Sequence, residues 1–195
     1  MAANIRGILL SAGYSKRFGS NKLLQALPAG ASEAGTPIGL AAARHLLEAL
    51  PESIAVVGPR AQKLSRMLRD AGCNTVVCKN AGEGMGTSLA AGVRSAPDAD
   101  GWIIALADMP FIRPETIRAV ANALRGGAAI AALAFRGERG HPVGFARRFY
   151  DELCSLQGDR GARQLLALHP DLVTPIDVDD PGVLRDIDRP SDLTA

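Results

Sequence analysis

Short apolar segments alternate along this chain with amphipathic stretches of helical spacing, and this alternation constrains the fold more than any other sequence feature. The apolar segments show no clean period of two, which is typical of strands buried on both faces. We therefore predict an α/β fold in which helices cover both sides of a mostly parallel sheet. The predicted strands are 8–10, 53–57, 75–78, 102–107, 128–135 and 172–178.

Helices are predicted between these strands. The first begins at Thr36-Pro37, with Thr36 as the N-cap and the proline in the first turn. The chain has 195 residues and contains no repeat and no linker long enough to divide it. We therefore expect a single domain over residues 1–195. The remaining predicted helices are 60–71, 87–94, 114–124, 147–156 and 160–168.

The composition argues against several classes of function. A net charge of +2 and an aromatic content of 4% argue against a stacking surface for nucleic acid. No apolar stretch approaches the roughly 20 residues that cross a bilayer, so we expect no membrane segment. Cys73, Cys78 and Cys154 form no CxxC pair, and we interpret them as reduced thiols of a cytoplasmic protein.

The loop after the first strand is the best candidate for a binding site. Small residues at 11–13 follow the apolar run, and Lys16, Arg17 and Lys22 come next. Small residues let backbone N–H groups approach phosphate oxygens, and cations neutralise phosphate charge. A solvated surface loop has the same composition, so the residues alone leave both interpretations open.

Two further segments follow predicted strands at the sheet edge where ligands of parallel sheets bind. Asp108 comes directly after the strand at 102–107, and Pro110 prevents a helix from starting at once. A carboxylate there can hold the Mg²⁺ of a nucleotide, or it can simply cap a turn. The glycine-rich turn at 80–86 could contact a base or a phosphate, or serve only as a connection.

Other candidate groups lie in the second half of the chain. His141 is predicted in a loop, with no neighbour that completes a catalytic triad. Asp159 is a candidate N-cap, and Arg163 could bind an anion or remain solvated. Asp186 and Asp188 would share one face of a strand and could supply a second carboxylate to a metal. A charged terminal turn is the alternative.

Taken in order, these segments resemble the nucleotidyltransferases related to the enzymes of molybdenum cofactor synthesis. The resemblance runs nearly from end to end of the chain. The matching segments are 10–19 with 22–24 (LxAGxSxRxGxxK-LL in the family), Asn80 with 84–89 (N…GMxxSL), 106–110 (LxDMP), 140–142 and 158–163 of the cytidylyltransferase branch, and 186–193 (DIDTPEDL).

The resemblance implies a Rossmann-like, three-layer nucleotidyltransferase fold and an Mg²⁺-dependent reaction. A terminal phosphate of the acceptor attacks the α-phosphorus of a nucleoside triphosphate, and pyrophosphate leaves. The implied site residues are Arg17, Lys22 and Asp108 for catalysis; Leu10, Ser11, Ala12, Gly13, Lys22, Asn80, Gly84 and Ser88 for the nucleotide; His141, Asp159 and Arg163 for the acceptor; and Asp108 with Asp188 for the metal.

One residue bears on the choice of nucleotide. The guanylyl branch typically reads LAGG at the first motif, and this chain has Ala12 in place of the first glycine. We therefore expect CTP, with GTP as the alternative. The resemblance implies a molybdopterin-type phosphate acceptor and a client molybdoenzyme. Transfer to another small phosphate, such as a sugar phosphate, and a cofactor-binding chaperone without catalysis are the competing hypotheses.

Overall fold

Seven strands pair side by side in one sheet. In this computed structural model, which describes residues 3–13 and 21–193, the strands are β1 (Ile5–Ser11), β2 (Ile54–Val57), β3 (Asn74–Val77), β4 (Gly101–Leu106), β5 (Ile130–Phe135), β6 (Glu138–Ala146) and β7 (Val173–Asp177). They lie in the order β3-β2-β1-β4-β6-β5-β7. Strand β6 is antiparallel to both neighbours, and every other pair is parallel. The predicted mostly parallel α/β fold is confirmed.

Six helices cover the two faces of the sheet: α1 (Ile38–Ala49), α2 (Gln62–Asp70), α3 (Met85–Arg94), α4 (Pro114–Arg125), α5 (Tyr150–Ser155) and α6 (Ala162–Leu168). Buried side chains of α1, α2 and α4 form one apolar core with the sheet, and those of α3, α5 and α6 form a second core on the opposite face. The result is three layers. In the described part of the chain, no helix combines the length and apolarity needed to cross a membrane.

The loop predicted around His141 is wrong, because this residue lies within β6. The pairing of β5 with β6 shifts register between Ala132 and Ala134, and its pairs on β6 jump from Val143 to Arg139. Pro142 falls in this irregular stretch, where its missing N–H removes no regular ladder bond. A proline that usually argues against a strand is therefore tolerated here.

The N-cap predicted at Thr36 is also wrong, since α1 begins at Ile38 with Pro37 as its N-cap. The Thr36 carbonyl accepts a 2.8 Å hydrogen bond from the Leu27 N–H, and the Gly35 N–H donates to the Leu27 carbonyl at 3.0 Å. These bonds close the segment between Leu27 and Pro37 into a loop. Thr36 lies in a bend of this loop, one residue before the N-cap, and makes no capping bond to the helix.

A buried carboxylate joins the closing segment of the chain to α4. Asp180 is 2% exposed. Its side chain accepts hydrogen bonds from the Arg113 N–H at 3.0 Å, the Thr116 hydroxyl at 2.7 Å and the Gly182 N–H at 3.0 Å. All these donors would lose their acceptor if the carboxylate were removed, and an unsatisfied buried donor is costly.

We expect Asp180→Ala to lower the free energy of unfolding by about 3 kcal/mol, measured by urea denaturation. The exposed neighbour Asp179 provides the matched control, since Asp179→Ala keeps the backbone carbonyl that accepts from Arg113. That control should change stability by less than about 0.5 kcal/mol. Equal effects of the two substitutions would contradict a special role for the buried carboxylate.

Candidate active site

A cleft of about 560 Å³ opens at the carboxyl ends of β1 and β4. Both strands end there because small or turn-forming residues follow them. Backbone and side chains from several distant segments meet in this space. Its lining consists of residues 10–13, Lys22 and Leu23, residues 81–85 with Ser88, Leu106 with Asp108, Asp159, and Asp188.

The strand end at 10–13 lines the cleft. The Ser11 hydroxyl donates a 2.7 Å hydrogen bond to the Val56 carbonyl of β2 and is buried. Ala12 is buried as well, whereas, apart from the two chain neighbours of Gly13, no atom of the described residues lies within 4 Å of the position that a Gly13 Cβ would occupy. A ligand can therefore approach the backbone at Gly13 closely, as phosphate-binding loops require.

Lys22 connects two carboxylates across the cleft. Its Nζ donates to Asp108 Oδ2 at 2.8 Å and to Asp188 Oδ1 at 2.9 Å. The Lys22 side chain is 12% exposed, whereas those of Asp108 and Asp188 are 25% and 40% exposed. Burial lowers the pKa of Lys22, but the hydrogen bonds and charges of the two aspartates outweigh it and raise this pKa above its ordinary value. The ammonium is therefore fully charged at neutral pH.

Two further titratable groups, Asp186 and His141, interact electrostatically with the carboxylates that Lys22 joins. Burial, together with the charges of Asp188 and Asp108, raises the pKa of Asp186. Burial lowers the pKa of His141, and the charges of Asp108 and Asp186 offset that effect only in part. His141 Nδ1 is buried and makes no hydrogen bond with the described residues. Lys22 is thus paired with two carboxylates, and the nearby carboxyl group of Asp186 adds to the negative potential of the site.

Asp186 and Asp188 reach this place without forming a strand, so the shared strand face predicted for them is wrong. The closing segment runs in extended coil, and the Ile187 N–H donates a 2.9 Å hydrogen bond to the Asp108 carbonyl. Asp192 accepts from the N–H groups of Asp188 and Arg189 at 2.9 and 2.8 Å. Backbone bonds therefore fix Asp188 beside Asp108.

The loop between α5 and α6, residues 156–161, forms one side of the cleft and packs on the start of α3. The Gly86 N–H donates to the Gly158 carbonyl at 2.8 Å, and the Gly158 N–H donates to the Thr87 hydroxyl at 3.3 Å. A Cβ on Gly84 would lie 2.2 Å from the Gly158 carbonyl carbon, and Gly84 has φ +132°. This close approach, which only glycine allows, brings Asp159 to the cleft.

Substitution of Gly84 should disturb both loops. We expect Gly84→Ala to lower the free energy of unfolding by about 2 kcal/mol or more, because backbone strain and overpacking act together. Gly72 has φ +100° and no atom within 4 Å of a built Cβ, so Gly72→Ala measures strain alone. Thermal denaturation of both variants separates the two effects, and equal shifts would contradict the packing argument.

The structure brings most of the predicted site residues together. Those that line the cleft are Leu10, Ser11, Ala12, Gly13, Lys22, Gly84, Ser88, Asp108, Asp159 and Asp188. Asn80 does not line it, because it is exposed at the turn that precedes residues 81–83. Arg163 is exposed on α6, and His141 lies behind Asp108. Arg17 falls outside the described residues.

One charged residue of the cleft was not singled out by the sequence. Glu83 lines the cleft from the glycine-rich turn. The signal available in the sequence was that Glu83 is the single acid within that turn.

Comparisons with known proteins agree with this geometry. The MobA-like NTP transferase domain matches residues 7–173. The purine catabolism protein PucB of Bacillus subtilis is 32% identical over 200 residues, which cover 95% of this chain and 92% of that protein. The nicotine blue oxidoreductase of Paenarthrobacter nicotinovorans is 30% identical over 193 residues, covering 94% of this chain and 92% of that protein.

A solved structure shows the same architecture. Rv0371c of Mycobacterium tuberculosis is 28% identical and superposes with a TM-score of 0.82, covering 100% of this chain and 97% of that one. The same protein has also been solved as a complex with manganese, which aligns at 26% identity with a TM-score of 0.78 and covers 98% of this chain and 96% of that one.

Proposed function

This chain belongs to the MobA-like NTP transferase family, and from that premise we propose that it transfers CMP from CTP to the phosphate of molybdenum-loaded molybdopterin, releasing pyrophosphate. The observation that carries the proposal is the position of Lys22, whose ammonium lies between Asp108 and Asp188 in a cleft lined by the backbone of residues 10–13. The family accounts for the use of a nucleoside triphosphate. The particular nucleotide and acceptor are our proposal.

The reaction requires charge neutralisation and alignment more than a covalent residue. An acceptor phosphate oxygen forms a bond to the α-phosphorus, the bond between that phosphorus and the bridging oxygen breaks, and pyrophosphate takes the electron pair. Lys22 would neutralise phosphate oxygens in the transition state, with Arg17 as a second cation. Backbone N–H groups at Ala12 and Gly13 would orient the triphosphate.

The residues present fit a divalent cation. Asp108 and Asp188 direct carboxylate oxygens to the position that the Lys22 ammonium occupies, and oxygen ligands of this kind also suit Mg²⁺. Among residues 3–13 and 21–193, no group of three or more His, Cys, Asp or Glu side chains is arranged to hold a metal. The protein would therefore supply two ligands, and phosphate oxygens and water the others. Bound Mg²⁺ would neutralise phosphate charge and make the α-phosphorus more electrophilic. The manganese complex of Rv0371c supports a cation in this fold.

The choice of CTP depends on Ala12. This residue is buried at the end of β1, in the apolar core that contains α3, and lines the cleft. A methyl group at this position, where the guanylyl branch has glycine, would leave less space beside the strand end. A pyrimidine is smaller than a purine, and we propose that the narrower site selects cytosine. Neither the name of PucB nor that of the nicotine blue oxidoreductase specifies a nucleotide.

The acceptor would bind on the side of Asp159, which lines the cleft. His141 would also contact the acceptor. Burial lowers its pKa, so its ring is neutral at neutral pH. Arg163 is exposed on α6, within the segment that supplies Asp159, and would contact an acceptor that extends beyond the cleft.

A nucleotide and acceptor panel scored by pyrophosphate release tests the proposal. With Mg²⁺ and molybdenum-loaded molybdopterin present, we expect CTP to support faster release than ATP, GTP or UTP. Faster turnover with a sugar phosphate would assign a different acceptor. Binding of the pterin without turnover on any triphosphate would contradict the proposal and favour a cofactor chaperone.

A further inference from the structure

We propose that the free edge of the sheet at β3, together with the basic face of α2, binds an acidic, extended polypeptide segment of a partner protein as an additional strand. This surface, the β3–α2 groove, is a depression of about 230 Å³ lined by Gln62, Ser65, Arg66, Arg69 and Val77 with the residues that follow β2. It is separate from the nucleotide cleft and is not required by the proposed function.

The outer edge of β3 is available for pairing. Asn74 N–H donates to the Ser53 carbonyl and Cys78 N–H to the Val57 carbonyl, so the alternate residues Thr75 and Val77 direct their backbone groups away from β2. No other strand of the described chain pairs with this edge. Val77 is 53% exposed, an unusual position for a large apolar side chain on an edge.

The two edge strands of the sheet carry different residues. Strand β7 contains Pro175 and Asp177, and proline and charge within a strand are usual means of preventing a further strand from pairing. Strand β3 contains neither, and it pairs with β2 in regular register along its four residues. The backbone groups of such an edge are what strand addition uses, and the cations that flank β3 would favour an acidic strand over others.

The charge around this edge defines the partner. Residues 60–79 contain one acidic residue, Asp70, against five cations, whereas the whole chain has a net charge of only +2. All five cations are exposed, and none forms an ion pair with a residue in the described part of the chain. They are Arg60, Lys63, Arg66, Arg69 and Lys79.

The spacing of two arginines matches an extended segment. Arg66 and Arg69 are three apart on α2 and both line the groove, so their Cβ atoms are about 5–6 Å apart. Side chains on one face of a strand repeat at roughly 6.6 Å. Acidic residues at alternate positions of an added strand would therefore face both guanidinium groups. Residues 60–79 contain no aromatic side chain for base stacking, which favours a polypeptide over single-stranded nucleic acid.

Binding of a short labelled peptide tests this proposal on the full chain. In the peptide, glutamate alternates with valine and threonine, and a control peptide has lysine in place of glutamate. We expect fluorescence anisotropy to show saturable binding of the acidic peptide only. Arg66→Glu should raise the dissociation constant at least about tenfold. Arg125→Glu, a matched exposed helix arginine on α4, should raise it less than about twofold.

Hydrogen exchange distinguishes strand addition from general attraction. The bound acidic peptide should slow exchange of the Thr75 and Val77 amides, because these N–H groups gain acceptors. Absent saturable binding, equal weakening by the two charge reversals, or unchanged exchange at β3 would each overturn the proposal. Tighter, Arg66-dependent binding of an oligothymidylate would also overturn it, by assigning the surface to nucleic acid.

Discussion

Replacing Lys22 with methionine should slow pyrophosphate release by about 10³-fold, because a positioned cation at a developing negative charge contributes that much to catalysis. The same change leaves Asp108 and Asp188 without the ammonium that joins them. We therefore also expect the free energy of unfolding to fall by about 1 kcal/mol, given the partial exposure of both carboxylates. Steady-state kinetics and urea denaturation measure the two effects.

A paired variant separates the structural role of Lys22 from its chemical one. Adding Asp188→Asn to Lys22→Met removes one of the two negative charges that Lys22 neutralises, so stability should recover in the double variant. Turnover should not recover, since no cation is restored and Asp188 is itself a proposed ligand of Mg²⁺. Return of activity in the double variant would show that Lys22 acts only by holding the two carboxylates together, and would contradict both its role toward phosphate and the role of Asp188 toward Mg²⁺. Lys22→Arg tests how far charge alone suffices.

The second large effect is expected at Asp108. Asp108→Asn removes a carboxylate proposed to hold Mg²⁺ and should lower turnover by about 10²- to 10³-fold. Stability should not fall with it, because the substitution reduces the excess of negative charge around Lys22. Loss of activity without loss of stability is typical of a residue placed for function.

Asp98→Asn is the matched control for that substitution. Asp98 is exposed and does not line the cleft, so turnover, magnesium dependence and stability should all be unchanged. The Asp108 variant should require a higher Mg²⁺ concentration for half-maximal rate. If its magnesium dependence matched that of the unmodified protein, Asp108 would not be a metal ligand.

The sequence predicts the parallel part of the fold well. Apolar segments such as 102–107 have the length of buried strands, and the amphipathic stretches between them have the spacing of helices. The prediction fails at β6, where glycines and Pro142 interrupt the apolar pattern. Strand identity there depends on contacts with β4 and β5, which are tertiary and leave no local signal. Thr36 fails for a similar reason, since its backbone bonds to Leu27 override its capping preference.

The sequence predicts about as much of the cleft as it does of the fold. A motif fixes which residues are near a site but not where each side chain points. The motifs place Lys22 and Asp108 in one site, yet the bridge that Lys22 makes to both carboxylates was not predicted. Arg163 was expected at the site because the resemblance implies that segment 158–163 faces the acceptor, but Arg163 is exposed on α6 and does not line the cleft.

The bridge at Lys22 also has a consequence for how the protein folds. Lys22 is 86 residues from Asp108 and 166 from Asp188 along the chain. The loops between these residues must close before either bridge can form, which has an entropic cost. The cleft therefore depends on segments from both halves of the chain, and a ligand bound there would stabilise the folded state as a whole. A ligand at 100 times its dissociation constant would add about 2.7 kcal/mol to global stability.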